Sequence, residues 1–214
     1  MKTKVIFYIP NHFKKMFFPV IRKKKDIILL FVETIKFIKT HSFQEEKSDF
    51  KIIIQIDNMS RFIYSSLDKH FSLIFPFKIS IKESNYEFFL KDGTELSFEF
   101  LSKITKLINN DIFSRTLDSL IEEIIDESKE QKDIVSDFDN KIWNFFKEMY
   151  SLEYGYLRYD YDKEHENGKI HPLNHLDICY SNEVTFKIGL NKKISSEEML
   201  EILDNNLERK FLNY

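Results

Sequence analysis

The chain has 214 residues, a formal net charge of −3 and 43% hydrophobic residues, with 22 Phe and 10 Tyr. This length and apolar content predict one domain over 1–214 with a substantial core, and the slightly acidic balance argues against a protein dominated by phosphate binding. The single cysteine, Cys179, excludes an internal disulfide and a zinc site built on paired thiolates, and it favours a reducing cytoplasm.

The first 48 residues predict a basic helical arm. Thr3 to Ile9 is a short β-prone run closed by Pro10, and Asp26 is a candidate cap for a helix over Ile27 to Thr40. The most apolar segment of this arm is about twelve residues long, too short to cross a bilayer, so we expect no membrane partner. A basic run is interpreted as a solvated face or, alternatively, as an arm that docks nucleic acid or a protein: Lys14, Lys15, Arg22, Lys23, Lys24 and Lys25.

The middle of the chain, 49–151, predicts a hairpin followed by helices. Phe50 to Ile56 is β-branched and predicts a strand, whereas Ser60 to Ile74 is interpreted as a helix. Phe77 to Ile81 and Tyr86 to Leu90 predict paired strands. The Asp-Gly turn after them predicts a third strand over Glu95 to Phe100.

Helical patterns follow this hairpin. Leu101 to Ser151 predicts three helices, the second carrying an apolar stripe from Leu117 to Ile125 and the third starting near Ser136 or Asp139. Ser195-Ser196-Glu197-Glu198 is a capping box that predicts a last helix reaching Phe211.

The carboxyl-terminal part, 152–214, predicts a β-β-β-α module that carries the candidate site. Apolar and polar side chains alternate in Tyr154 to Tyr161, His175 to Tyr180 and Val184 to Leu190, as in strands with one buried face. The chain as a whole therefore predicts an α+β fold, with an antiparallel sheet, helices packed on one face and a helical middle section. The polar faces of the three strands gather one set of ionisable residues: Arg158, Asp160, His175, Asp177 and Lys187.

These residue types suit acid–base chemistry on a phosphodiester. His175 is the candidate general acid or base, and Asp177, or Asp160 in its place, is the carboxylate that orients it. Arg158 and Lys187 are the candidate phosphate clamps. No metal or other cofactor is needed if RNA is the substrate, because the 2′-hydroxyl is an internal nucleophile.

Three further residues complete the candidate set, and two alternatives stay open. Tyr156 is a candidate for stacking on a base, His171 is the reserve acid or base, and Asn174 lies beside the strand end. The first alternative is an exposed sheet face whose opposite charges simply pair across strands. The second is a divalent metal site, since His171 and His175 are four residues apart with carboxylates nearby.

The carboxyl-terminal motifs resemble those of an uncharacterised bacterial family of unknown function. Its pattern runs Arg-x-Asp-Tyr-Asp, a loop, His-Pro-x-x-His-Leu, a short strand pair and a final helix, which here begin at Arg158 and His171. The chain departs from it at Asp177, where the family often has another histidine. The resemblance implies a gene of mobile or anti-phage defence loci, and the short motifs are also similar to those of small toxin proteins.

Two functional hypotheses follow for a cytoplasmic protein. The first is a toxin-like or anti-phage defence protein that acts on RNA or another nucleic acid, by metal-independent RNA cleavage. The second is a non-catalytic subunit of a defence or toxin–antitoxin assembly, which binds a protein from the same locus through its acidic stretch from Glu122 to Glu130 and its basic arm.

Overall fold

The computed structural model describes residues 3–41, 47–57, 60–82, 85–109 and 137–208. Within them the fold is α+β, as the sequence predicts. In chain order the elements are β1 Thr3–Tyr8, α1 Lys14–Phe17, α2 Lys24–His41, β2 Lys51–Ile56, β3 Arg61–Ser65, β4 Lys69–Ile74, β5 Lys78–Lys82, β6 Asn85–Phe89, α3 Phe98–Asn109, α4 Asp137–Ser151, β7 Leu157–Tyr161, β8 Asn174–Ile178, β9 Phe186–Gly189 and α5 Ser196–Leu203.

The chain divides into two compact units. The first holds β1 to β4, β7 to β9, α1 and α5, and the second holds α2, β5, β6, α3 and α4. The single domain over 1–214 stays a prediction. Each described helix is too short or too polar to cross a membrane.

The first unit is built on an antiparallel sheet with the strand order β1-β2-β3-β4-β7-β8-β9. The predicted amino-terminal arm supplies its first strand, since β1 pairs with β2 from Thr3↔Ile56 to Tyr8↔Lys51. Although the second unit interrupts the chain after β4, β7 returns to pair with β4, and β8 and β9 follow as neighbours. The three predicted carboxyl-terminal strands therefore lie side by side.

The predicted helix over Ser60 to Ile74 is wrong, because this segment forms the hairpin β3–β4. Phe62, Ile63 and Tyr64 are buried one after another, so their strand is covered on both faces. Such a strand gives a continuous apolar run, which periodicity cannot distinguish from a buried helix. The turn is fixed by Ser66, whose hydroxyl accepts from the Lys69 amide at 3.0 Å.

One helix and one side of the sheet form the core beneath the carboxyl-terminal strands. The Ser195 hydroxyl accepts from the Glu198 amide at 3.1 Å, which confirms the predicted capping box. The helix α5 ends at Leu203. The chain is described up to residue 208 and is not helical from 204 to 208, so the predicted extension toward Phe211 is wrong over these residues. The buried side chains of this layer are Ile53, Ile63, Tyr159, Leu176, Ile194, Met199 and Leu200.

Where it is described, the second unit contains the ribbon β5–β6 and the helices α2, α3 and α4. The predicted helix over Ile27 to Thr40 is confirmed as α2, the predicted strand pair as β5–β6, and the helix near Asp139 as α4. The predicted helix around Leu117 lies outside the described residues.

The predicted strand over Glu95 to Phe100 is wrong. Only a bridge from Phe89 to Glu95 forms, and α3 begins at Phe98. The reason is local, because the Ser97 hydroxyl accepts from the Phe100 amide at 3.2 Å and so starts a helix. The Asp-Gly turn itself is present, with Gly93 at φ 95°.

Candidate functional site

Antiparallel register places the predicted ionisable residues on the sheet face opposite α5. Arg158 pairs with Asp177, and Asp177 pairs with Lys187; in the next row, Asp160 pairs with His175. Their alternation with Tyr159 and Leu176, which are buried on the α5 side, confirms the two-residue periodicity. We call Arg158, Asp160, His175, Asp177 and Lys187 the charged face.

Arg158 holds the two carboxylates of the charged face together. Its Nε donates to Asp160 Oδ2 at 2.6 Å, and its Nη2 donates to Asp177 Oδ2. Burial acts to lower the pKa of Arg158, but the interactions with Tyr156 and the two carboxylates outweigh it, so the pKa is raised. Arg158 is therefore a permanently charged group that bridges the two carboxylates.

His175 is fully buried, and its ring is fixed by the backbone. Its Nδ1 lies 2.7 Å from the Pro172 carbonyl oxygen, which can only accept, so Nδ1 carries the proton. The lone pair of the neutral ring is then on Nε2. That atom faces the carboxylates, at 3.8 Å from Asp160 Oδ2 and 3.9 Å from Asp177 Oδ2.

Lys187 closes the charged face on the side of β9. Its Nζ lies 2.9 Å from His175 Nε2 and donates to Asp177 Oδ1 at 2.7 Å. The side chain is 31% exposed, against 5% for Asp177. Lys187 is thus the most accessible member of the charged face, and its departure would open Nε2 and the carboxylates to a ligand.

Two of the predicted residues do not take their predicted roles. Tyr156 lies beside the charged face and hydrogen-bonds to Arg158, but its ring is buried, which leaves little accessible surface for a base to stack on. Burial raises the pKa of its hydroxyl. Asn174 lies on the α5 side instead, where its Oδ1 accepts from the Tyr159 hydroxyl at 2.7 Å. Asn174 therefore takes no part in the charged face.

The histidines of the metal alternative are split between two places. The His171 ring lies edge-on to His175 with centroids 4.7 Å apart, but its Nε2 lies 3.3 Å from Asp162. His165 also contacts Asp162, with Nδ1 3.0 Å from Oδ1. Among the described residues, one group of three metal-ligand atoms converges within 4.8 Å, and it consists of Asp160, His175 and Asp177.

A groove of about 770 Å³ adjoins the charged face, and sequence reasoning missed it. Arg158 and Asp160 form part of its lining, together with the half-buried rings of Phe18 and Phe50. These rings lie edge to face at 5.8 Å, and Lys14 Nζ lies 4.9 Å from the centre of the Phe50 ring. No spacing pattern in the sequence links residues so far apart.

A second missed contact joins two neighbouring strands of the same unit. The Ser65 hydroxyl donates to His70 Nδ1 at 3.0 Å, and His70 Nε2 donates to the Ile194 carbonyl at 3.2 Å. Burial lowers the pKa of His70, so this ring is held neutral. Ser65 and His70 face each other only in the β3–β4 hairpin, so a helix over Ser60 to Ile74 does not predict this contact.

The charged face can, in chemical terms, present a basic imidazole nitrogen and two carboxylates beside a fixed guanidinium and a movable ammonium. Such a set serves proton transfer, phosphate neutralisation or metal binding.

The resemblance to a bacterial defence family stays a prediction. No family model, no curated protein and no solved structure matches this chain.

Proposed function

We propose that the charged face and the adjoining groove bind a single nucleic-acid strand and cleave its phosphodiester bonds. The observation that supports this proposal is their continuity, since Arg158 and Asp160 belong both to the charged face and to the groove lining. A strand in the groove would thus place a phosphate against the residues able to act on it.

The groove offers what an unpaired strand needs. Aromatic rings give bases a stacking surface, and Phe18 and Phe50 are both half-buried with part of each ring accessible. Lys14, Lys69 and Lys163 line the same groove and can pair with individual backbone phosphates, while four acidic residues balance the net charge of the lining. A double helix has no unstacked bases for these rings, so single strands are the substrate class.

The charged face supplies the chemistry. A phosphate competes with Asp177 for Lys187, whose side chain is the most exposed of the set. When Lys187 moves to the phosphate, His175 Nε2 becomes free to accept a proton or to bind an ion. Arg158 remains fixed between the carboxylates and stabilises the negative charge that develops on the phosphoryl oxygens.

Strand binding is tested with a matched pair of lysine variants and a fluorescein-labelled oligouridylate followed by anisotropy. Lys14 lines the groove, whereas its neighbour Lys15 is exposed and does not. We expect Lys14→Met to weaken binding and to reduce the slope of log K against log salt by about 0.7, the value for one phosphate contact on a single strand. Lys15→Met should leave both quantities unchanged. Equal effects of the two variants, or no binding by the wild type, would overturn the proposal.

Cleavage is tested with end-labelled single-stranded RNA and DNA of the same sequence. We expect shorter products with the wild type and none with His175→Gln, whose fold is checked by hydrogen exchange of the β8 amides. If DNA is cleaved as well as RNA, the 2′-hydroxyl is not the nucleophile, and a water molecule must be activated instead. If neither is cleaved, the charged face is not a hydrolytic centre.

The non-catalytic alternative rests on a different part of the molecule. Its acidic stretch, Glu122 to Glu130, lies outside the described residues, so partner binding through it stays a prediction. The ion pairs that Arg158 and Lys187 make within the charged face are what a purely structural role would also show. Wild-type protein that neither binds nor cleaves the strands above would leave this alternative as the better explanation.

A further inference from the structure

We propose that the charged face binds one divalent transition-metal ion between Asp160, His175 and Asp177. The three side chains are buried, and one ligand atom from each lies within 4.8 Å of the others. The role of this ion rests on the proposed function, because it would be the cofactor for cleavage. Its binding rests on the geometry of the three ligand atoms alone.

The spacing of the ligand atoms fits an ion at their centre. His175 Nε2 lies 3.8 Å from Asp160 Oδ2 and 3.9 Å from Asp177 Oδ2. Two atoms about 2.1 Å from a common ion at a tetrahedral angle lie about 3.4 Å apart. The two contacts of His175 therefore need to close by about 0.4–0.5 Å, and the two carboxylate ligand atoms lie within 4.8 Å of each other. Because both Oδ2 atoms accept from Arg158, the carboxylates must rotate to turn an oxygen toward the ion.

The histidine is already oriented as a ligand. Metal-bound histidines usually donate their second ring N–H to a backbone carbonyl or a carboxylate, which fixes the tautomer and the ring plane. His175 does this through Nδ1 and the Pro172 carbonyl at 2.7 Å. Its remaining nitrogen faces the two carboxylates, and in this structure its lone pair accepts from the Lys187 ammonium.

A buried carboxylate oxygen also lacks a hydrogen bond. Asp160 Oδ1 is inaccessible to solvent and has no hydrogen-bond donor among the described residues. Lys69 Nζ is 3.7 Å away, beyond hydrogen-bond distance. Leaving a buried charged oxygen without a hydrogen bond is costly, and a divalent ion beside this carboxylate would offset that cost.

Lys187 holds the place of the ion in this structure. Its ammonium contacts both the imidazole nitrogen and the Asp177 carboxylate, two of the three proposed ligands. A partly exposed lysine on the last strand of the described sheet can leave without disturbing the buried layer. Lys187 and the ion therefore compete, and this competition gives the proposal a distinctive test.

The charge of the groove explains why an ion is needed. The lining carries four basic and four acidic residues, so their charges cancel: Lys14, Lys69, Arg158 and Lys163 against Asp68, Asp160, Asp162 and Glu164. A polyanion gains little from a neutral groove, whereas a divalent ion adds charge beside the phosphate. One imidazole with two carboxylates suits Mn²⁺, Fe²⁺ or Zn²⁺ better than Ca²⁺, which takes oxygen ligands alone.

The test measures Mn²⁺ binding to the full chain without nucleic acid, by calorimetry and by loss of the free Mn²⁺ signal in electron paramagnetic resonance. We expect one ion per chain, bound at least tenfold more weakly by Asp160→Asn. We expect Lys187→Met to bind it several-fold more tightly, because the competing ammonium is gone. Lys192→Met, an exposed lysine away from the site, is the matched control and should bind as the wild type does.

Several results would overturn this inference. The first is that neither the wild type nor Lys187→Met binds Mn²⁺. The second is that Lys187→Met binds Mn²⁺ more weakly than the wild type, and the third is that Asp160→Asn binds it as tightly as the wild type. The Lys187→Met result stays interpretable even if Asp160→Asn fails to fold, because this variant keeps all three ligands. If the protein binds no Mn²⁺ and still cleaves the strand in the presence of a chelator, the ion is rejected and the proposed function is kept. If the protein binds Mn²⁺ but cleaves no strand, the ion site is kept and the proposed function is rejected.

Discussion

Replacing Arg158 by methionine tests whether the charged face is held together by its own charges. Arg158 contacts Asp160 and Asp177, whose side chains are 11% and 5% exposed. Removing one partner of a buried ion pair costs about 3–5 kcal/mol, because a charge is left without compensation. Arg158 is itself 26% exposed and Lys187 still neutralises Asp177, so we expect the lower end, about 3 kcal/mol.

The assay must report the first unit alone, because the only tryptophan, Trp143, lies in α4 of the second unit. Native-state hydrogen exchange of the β7 and β8 amides, read by mass spectrometry, meets this requirement. A loss of about 3 kcal/mol raises the opening equilibrium roughly 100-fold. The matched control is Lys192→Met, which removes an ion pair with Glu198 in the same unit, in which the lysine is 73% exposed, and it should change nothing measurable.

Two outcomes would refute this reasoning. Exchange in Arg158→Met that stays within about threefold of the wild type would mean that solvent screens the charged face and that its carboxylates are not effectively buried. A double variant, Arg158→Met with Asp160→Asn, should recover part of the loss, because one of the two stranded charges is then absent. Additive losses in the double variant would show that Arg158 acts through packing and not through charge.

Two further predictions concern stability in the first unit. Burial lowers the pKa of His70 from 6.5, so folding disfavours the protonated ring; this stability contribution is present above pH 6.5 and is lost as the pH falls below it. Urea unfolding at pH 7.5 and 5.5 should show a smaller pH effect for His70→Gln than for the wild type, and equal effects would contradict the assignment. A Cβ at Gly189 would lie 2.9 Å from Pro172 Cγ, so Gly189→Ala should lower the unfolding free energy by about 1–3 kcal/mol. Adding Pro172→Ala should restore part of this loss in thermal unfolding, whereas a Gly189→Ala protein as stable as the wild type would contradict the crowding.

The charged face was predictable because each of its strands carries a clear two-residue alternation. Successive side chains of a strand lie on opposite sides, so the common face of Arg158, His175 and Lys187 follows from sequence alone once the strands are neighbours. The expectation that this polar face is exposed is wrong, because Asp160, His175 and Asp177 are buried on it. The capping box that starts α5 was predictable for a similar reason, since it depends on residues three positions apart. Both features depend on residues close together in the sequence, which is why the sequence alone predicts them.

The misses came from segments whose structure depends on distant parts of the chain. The strands β3 and β4 are buried on both faces, so their apolar residues run on without alternation and resemble a helix. That error hid Lys69, which pairs across the sheet with Asp160. The groove was not predictable either, because the contact of Phe18 with Phe50 joins residues far apart in the sequence.

The composition of this sheet face argues for a ligand rather than a purely structural role. On β3 and β4 the same face carries Tyr64 and Phe71, stacked with ring centres 4.6 Å apart, and the next strand changes abruptly to Arg158. Apolar residues would fill the buried positions of the charged face at equal or lower free energy, since buried ion pairs rarely stabilise more than well-packed hydrophobic groups do. His175 adds little to this cost, because both nitrogens of its buried ring are hydrogen-bonded. A ligand that binds the folded protein returns its binding energy to the folded state, which is the simplest way to offset that cost.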